Sequence, residues 1–517
     1  MLPIAAVIYG GFSAEPEVWQ HLVEFVLPTA IPNTLWLVGG VTTLAILIGT
    51  LLAWLTTAYA FAGRRLFVIL LLLPLAMPSY ILAFVYLDWI SYPAPFPTWW
   101  RAQGWGEFPL QPGRALTIVT MTFGLYPYVF LVTRQAFLSQ GQKLIEAAAM
   151  LGSSKWRIAR RVVIPLSLPW IAGSGLLVAM ETLADYGTVA IFNYDTLTTA
   201  VVSTWFSLYS KVTALKVAGI LLLFVLVFIY LERRIQPRQF ESSAREGALL
   251  KRRQLSAKEQ FFVISFLLVF LTIVLFAPMT QLLYWTSQQV GQWNPEWLTL
   301  AYRSVVTALT AGVVLAMLAV GLSFANRRQV MPAHQWFGRV ATFGYAFPGV
   351  VLAVGLYWPL VQLDYWLSDM LFAVGININS IFQFGITLLL IGYAARFLAV
   401  AHKPIFAAVN RITLRHEESA RLLGASGTRL GLRLYWPLLS GGVGTALLLV
   451  FLDVMKEIPI TLLMRPVGWE TLATKIFQFT VEGQWQQAAV PALLLVLTSL
   501  LPLSWLCHKL WQEEISR

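Results

Sequence analysis

Charge is what this sequence has least of. Only 12% of its 517 residues are Asp, Glu, Lys or Arg, against 58% apolar residues, and the mean hydropathy is +0.71. A soluble fold of that composition would lack the polar surface to cover itself. Cysteine is scarcer still: Cys507 stands alone, which excludes an intrachain disulfide and leaves packing as its expected role. Also missing is GxxxxGK[ST], the loop that cradles nucleotide phosphates, so the chain does not hydrolyse ATP itself. Its energy must come from a partner or an ion gradient. There is no metalloprotease helix, no cysteine pair and no nucleophile constellation. The five histidines (His21, His334, His402, His416 and His508) are scattered and fix no metal site.

What the sequence has instead is apolar runs near the 20 residues that cross about 30 Å of hydrocarbon. They place it in a lipid bilayer as an all-α polytopic membrane protein. The first half holds runs at 2–12, 31–61, 66–90, 115–137, 166–192 and 212–231. The first of these is short for a span and has no basic segment before it, so it reads as a helix rather than a cleaved signal peptide. Pro74 and Pro78 predict a kinked, interior third span. The second half replays the order at 261–284, 304–325, 336–360, 381–400, 438–464 and 488–506. Between them lies the one long charged stretch. The expected division is 1–232 for the first half, 233–260 for a basic linker and 261–517 for the second, with six spans in each half.

Two polar islands carry the proof of duplication. EAAAMLGSSKWRIARRVVIPL (146–166) and ESARLLGASGTRLGLRLYWPL (418–438) agree at nine of 21 positions at an offset of 272, far above what composition supplies. Each reads as two short helices meeting at a glycine, Gly152 or Gly424. The glycine can take the left-handed conformation that ends a helix, Ser154 or Ser426 can cap the next helix, and Pro165 or Pro437 interrupts it. Putting both elbows, the linker and the C-terminus on one side leaves only Arg101, Arg114, Lys211, Lys216, Arg303, Arg465 and Lys475 opposite, with Lys456 inside a span. That imbalance predicts cytoplasmic elbows. The net charge of +12 is dispersed over these loops, so nucleic acid is not an expected partner.

The frame of Glu, Ala, Ala, three residues and Gly, with a Pro further on, resembles the EAA signature of ABC-importer permeases. Ser419 and Trp436 are modest departures in the second copy. The stretches ETLADYGTVAIF and KEIPITLLMRP further resemble the iron(III) importers in which two permease halves are fused, although Tyr186 stands where that group often has phenylalanine. Thiamine and phosphonate importers use similar fused chains. The resemblance implies a type I ABC-importer permease fold of two pseudo-symmetric halves in a bacterial inner membrane, and it makes ferric iron the leading substrate. It further implies two ATPase subunits that carry ATP and Mg, and a periplasmic or extracytoplasmic substrate-binding protein. Coupling to the ATPases would fall to Glu146, Ala147, Ala148, Gly152, Pro165, Glu418, Ala420, Gly424 and Pro437.

Four acids inside spans also stand out. Glu181 and Asp185 share a helical face, and at offset 272 their equivalents are Asp453 and Glu457. Ionisable groups in spans are costly and usually face a cavity or a partner, so the quartet is a candidate translocation path. Against this, Asp453 and Lys456 are close enough in sequence to neutralise each other. A gradient-driven secondary transporter also uses repeats and intramembrane acids, but it has no use for two matched docking elbows.

Overall fold

The computed structural model describes residues 2–12, 15–91, 94–106, 113–139, 150, 157, 159–235, 252–289, 294–327, 343–375 and 385–515. Apart from a two-residue parallel pairing of Tyr59 with Arg253 and Ala60 with Gln254, the described residues form helices and connecting turns. Ten helices are long and apolar enough to cross a membrane. An eleventh crossing results if Arg64–Ala76 and Ser79–Ile90, bent by 90° at Pro78, form one broken span. Six crossings per half are therefore not all present among the described residues. The shortfall is Leu2–Phe12, whose 11 residues reach only roughly 16 Å at the helical rise.

The order of elements repeats. A 3₁₀ turn, Leu73–Ala76, precedes Ser79–Ile90, as Phe343–Ala346 precedes Gly349–Ala373. Ile164–Ala184 is followed by the short Gly187–Ile191, as Trp436–Met455 is followed by Pro459–Met464. The correspondence reaches single hydrogen bonds. Thr34 Oγ1 accepts from the Leu197 N–H at 3.0 Å, and Ser304 Oγ accepts from the Leu472 N–H at 2.7 Å. Each of the two helices so held, Leu197–Phe206 and Leu472–Val481, opens with a Thr-x-x-Thr capping box.

The prolines after the elbows do not break their helices as the sequence suggests. The chain stays helical from Gly427 through Met455, with a π-helical turn at Gly431–Tyr435 just ahead of Pro437. Ala159–Val163 and Pro165 repeat the arrangement. Leu22–Val26 before Pro28 and Thr272–Phe276 before Pro278 do the same. A proline lacks the N–H for its i−4 carbonyl and crowds it, and a widened turn accommodates both.

The first helix of each half lies against the other half. Leu2–Phe12 packs between Lys211–Ile235 and Gly349–Ala373. A side chain on Gly10 would overlap Leu215, and a Cβ on Gly355 would sit 2.6 Å from the Pro3 carbonyl oxygen. Ala277–Gln288 packs on Trp485–Ile515 and Ser79–Ile90, where Phe84 stacks on both Trp285 and Trp485. The Tyr86 hydroxyl donates to the Ile273 carbonyl at 2.9 Å. The outward faces are apolar, with Leu223, Met317 and Leu501 exposed, as lipid contact requires.

Gly355→Val should therefore push Leu2–Phe12 off its seat. The expected loss is about 1–3 kcal/mol, the usual cost of overpacking, read as a lower apparent Tm of the purified protein in detergent. The same change at Gly321, which has open space around it, should leave the Tm near wild type.

Candidate functional site

The second elbow is built as its sequence suggests up to Gly424. Thr413 and His416 form a capping box at the start of Leu414–Leu422. Gly424 takes φ +80°, its N–H donating to the Arg421 carbonyl at 2.9 Å and the Ala425 N–H to the Ala420 carbonyl at 2.9 Å. That paired closure needs a left-handed residue, which glycine supplies without strain. Ser426 then sits at the cap position of Gly427–Leu430, but its hydroxyl makes no capping bond. Leu422 and Leu423, each 88% exposed, stand at the tip beside the exposed Glu418 and Arg421, while Ala420 is half-buried. An apolar tip ringed by charge suits a protein groove. In the first elbow, Glu146, Ala147, Ala148 and Gly152 lie outside the described residues. Pro165 is exposed at the start of Ile164–Ala184, and Pro437 occupies the matching place in Trp436–Met455.

The acid quartet lies at the far ends of these same two helices. After Ala184 the backbone turns extended at Asp185, whose carboxylate accepts the Thr188 N–H and hydroxyl, both at 2.9 Å, and the Ser79 hydroxyl at 3.0 Å. It thereby caps Gly187–Ile191. Glu457 does the same for Pro459–Met464 by accepting the Ile460 N–H at 3.2 Å. Glu181 accepts the Tyr345 hydroxyl at 2.8 Å, a bond between the halves.

Two cations complete the cluster. Lys456 Nζ pairs with Asp453 at 2.9 Å and reaches across to the Tyr128 hydroxyl at 3.3 Å, so the neutralisation allowed by their spacing is real. Arg396, on Ile386–Asn410, places Nη1 2.9 Å and 3.0 Å from the two carboxylate oxygens of Glu457, with both side chains buried. A side chain on Gly349 would meet the tips of both partners and displace the pair. The sequence reading passed over Arg396 and counted it with the elbow-side cations, although an arginine inside an apolar run is itself a signal.

Glu181, Asp185, Arg396, Lys456 and Glu457 line one cavity of about 100 Å³ between the halves, walled also by Tyr80 and Tyr128. Together with Asp453, the site holds four carboxylates against two cations. Among the described residues no three His, Cys, Asp or Glu side chains converge to hold a metal ion. Arg396→Met should cost roughly 3–5 kcal/mol by leaving Glu457 buried and unpaired, whereas Arg396→Met with Glu457→Met should recover most of the loss. Apparent melting temperatures of the two variants check this.

Residues 45–240 match a family described as "Binding-protein-dependent transport system inner membrane component". The chain is 26% identical over 480 residues to the Fe(3+)-transport system permease protein FbpB 2 of Haemophilus influenzae, covering 91% of this chain and 88% of that protein. It is 29% identical over 164 residues to the sulfate transport system permease protein CysW of Escherichia coli, covering 31% of this chain and 55% of that one. To the molybdenum transport system permease protein ModB of Escherichia coli it is 27% identical over 158 residues, covering 28% and 62% respectively. Such a family implies a substrate-binding protein and an ATPase as partners, with nucleotide on the ATPase. With its apolar helices, the match makes the chain a multi-pass inner-membrane protein. Residues 45–240 carry the family's pattern, and along nearly its whole length the chain is similar to a permease of a binding-protein-dependent ABC importer.

Proposed function

We propose that this permease imports ferric iron, with 1–232 and 261–517 as two halves enclosing one path and two ATPase subunits gripping the two elbows. The elbows face the cytoplasm, where the imbalance of basic residues puts them. Closure of the ATPases around ATP pushes both elbows together and turns the cavity outward to the binding protein, and hydrolysis resets it. The observation that carries the choice of cargo is the charge of the cavity. With Glu181, Asp185 and Glu457 against Arg396 and Lys456, the lining carries a formal charge of −1, which favours a cation and opposes sulfate or molybdate. The relative matched along nearly the whole chain is named for Fe(3+) transport.

Coupling is assigned to Glu146, Ala147, Ala148, Gly152 and Pro165 in the first elbow and to Glu418, Ala420, Gly424 and Pro437 in the second. The exposed leucine tip at Leu422 and Leu423 supports the second set. Gly424→Val forces a β-branched residue to φ +80°, which strains the turn by about 1–2 kcal/mol. Iron uptake and stimulated ATP hydrolysis should fall together, with the protein still inserted and folded. Unchanged uptake would remove the coupling assignment. Uptake that survives ATP depletion under a maintained ion gradient would favour a secondary transporter instead.

A further inference from the structure

The two halves treat their matched acids differently. In the second half Asp453 and Glu457 each have a cation at 2.9 Å. At the same offset of 272 the first-half counterpart of Lys456 is Ala184, and none of the first-half residues lining the cavity is a lysine or arginine. Glu181 receives the Tyr345 hydroxyl, and Asp185 receives only Ser79 and Thr188. Neither has an ion pair among the described residues. Arg396 and Lys456 act on Glu181 across the cavity without pairing with it, so the acids left without a direct ion pair are both in the first half.

One group on the same wall is unmatched. Tyr80 is 4% exposed, yet among the described residues its hydroxyl, which can accept as well as donate, has no hydrogen-bond partner. Buried polar atoms are normally satisfied, so an orphan on a cavity wall points to something that enters it. A second cavity adjoins it. Tyr186 borders both cavities, and the second, of about 450 Å³, is lined by Asn193, Asp195, Thr199 and Ser203 and, from the other half, by Phe477. The Tyr186 and Phe477 rings stand 5.2 Å apart.

We propose that the first half alone carries the transit site for a hard, multivalent cation, formed by Glu181, Asp185 and the Tyr80 hydroxyl. The pairs Asp453–Lys456 and Glu457–Arg396 are structural. This rests on the import reading above and adds which residues handle the ion. Hard cations take carboxylate and hydroxyl oxygens. A cavity of about 100 Å³ admits an ion with a few waters but not its carrier chelate.

The test uses the complete transporter in proteoliposomes, with binding protein and radiolabelled ferric ion, reading uptake and stimulated ATP hydrolysis side by side. Tyr80→Phe and Glu181→Gln should each cut uptake at least roughly tenfold while ATP hydrolysis stays within about twofold of wild type. Asp185→Asn, which keeps an acceptor for the Thr188 N–H, should do the same. The neutral double variant Asp453→Asn with Lys456→Met removes a pair proposed to be structural, so uptake and ATP hydrolysis should fall in parallel there. Unchanged uptake in the first two variants overturns the site. So does a parallel fall of uptake and hydrolysis in those two, which marks a structural role, or a loss of uptake alone in the neutral double variant. Failure of the iron reading shows elsewhere, in a wild-type transporter that moves sulfate or molybdate but no ferric ion.

Discussion

Hydrocarbon offers no hydrogen bonds, so every break in a spanning helix and every charge carried into the bilayer must be answered by the protein itself. The interior of this permease is organised by that requirement. Helices stop in mid-structure at Asp185 and at Glu457, and in each case the acid's carboxylate takes up N–H groups of the next short helix. The acids in turn need donors, which come from Ser79, Thr188, Arg396 and, across the boundary between halves, Tyr345. Polar chemistry is thereby drawn to the seam, while the outward faces stay apolar.

The same two helices connect both functional regions. Ile164–Ala184 begins beside the first elbow and ends at the acids, and Trp436–Met455 does so in the second half. With 21 and 20 residues they are roughly 30 Å long, so a displacement at one end is delivered to the other by a stiff rod. Each rod starts with a π-helical turn and a proline, where helical hydrogen bonding is already loosened and bending is cheapest. At the far end, motion of either rod acts on bonds that join the halves, Tyr345 to Glu181 and Lys456 to Tyr128.

Much of this was legible in the chain because it is periodic. The runs gave the spans, the offset of 272 gave the repeat, and the acids stood out against apolar surroundings. Gly424 was readable because a left-handed helix end all but requires glycine. What escaped depends on contacts distant in sequence. Arg396 lies 61 residues from Glu457, and nothing local says that they meet. The closeness of Gly349 to that pair is equally invisible. The prolines misled for a local reason: a π-helical turn absorbs them, and no pattern of residue types announces one. Ser426 misled too, since a residue suited to capping does not always cap.

Duplication makes two halves equal, but a path on the axis between them serves one cargo at a time. Once both copies of an acid face the same cavity, four negative charges in a low-dielectric seam repel one another and the structure must relieve them. Here the second half does so with its own lysine and arginine, while the first half brings no cation to the cavity wall. Neutralising all four acids would leave a cavity with no preference for a cation. Neutralising none would leave a seam too costly to close. Two paired and two unpaired acids meet both demands, and they account for how halves alike in fold come to differ in chemistry.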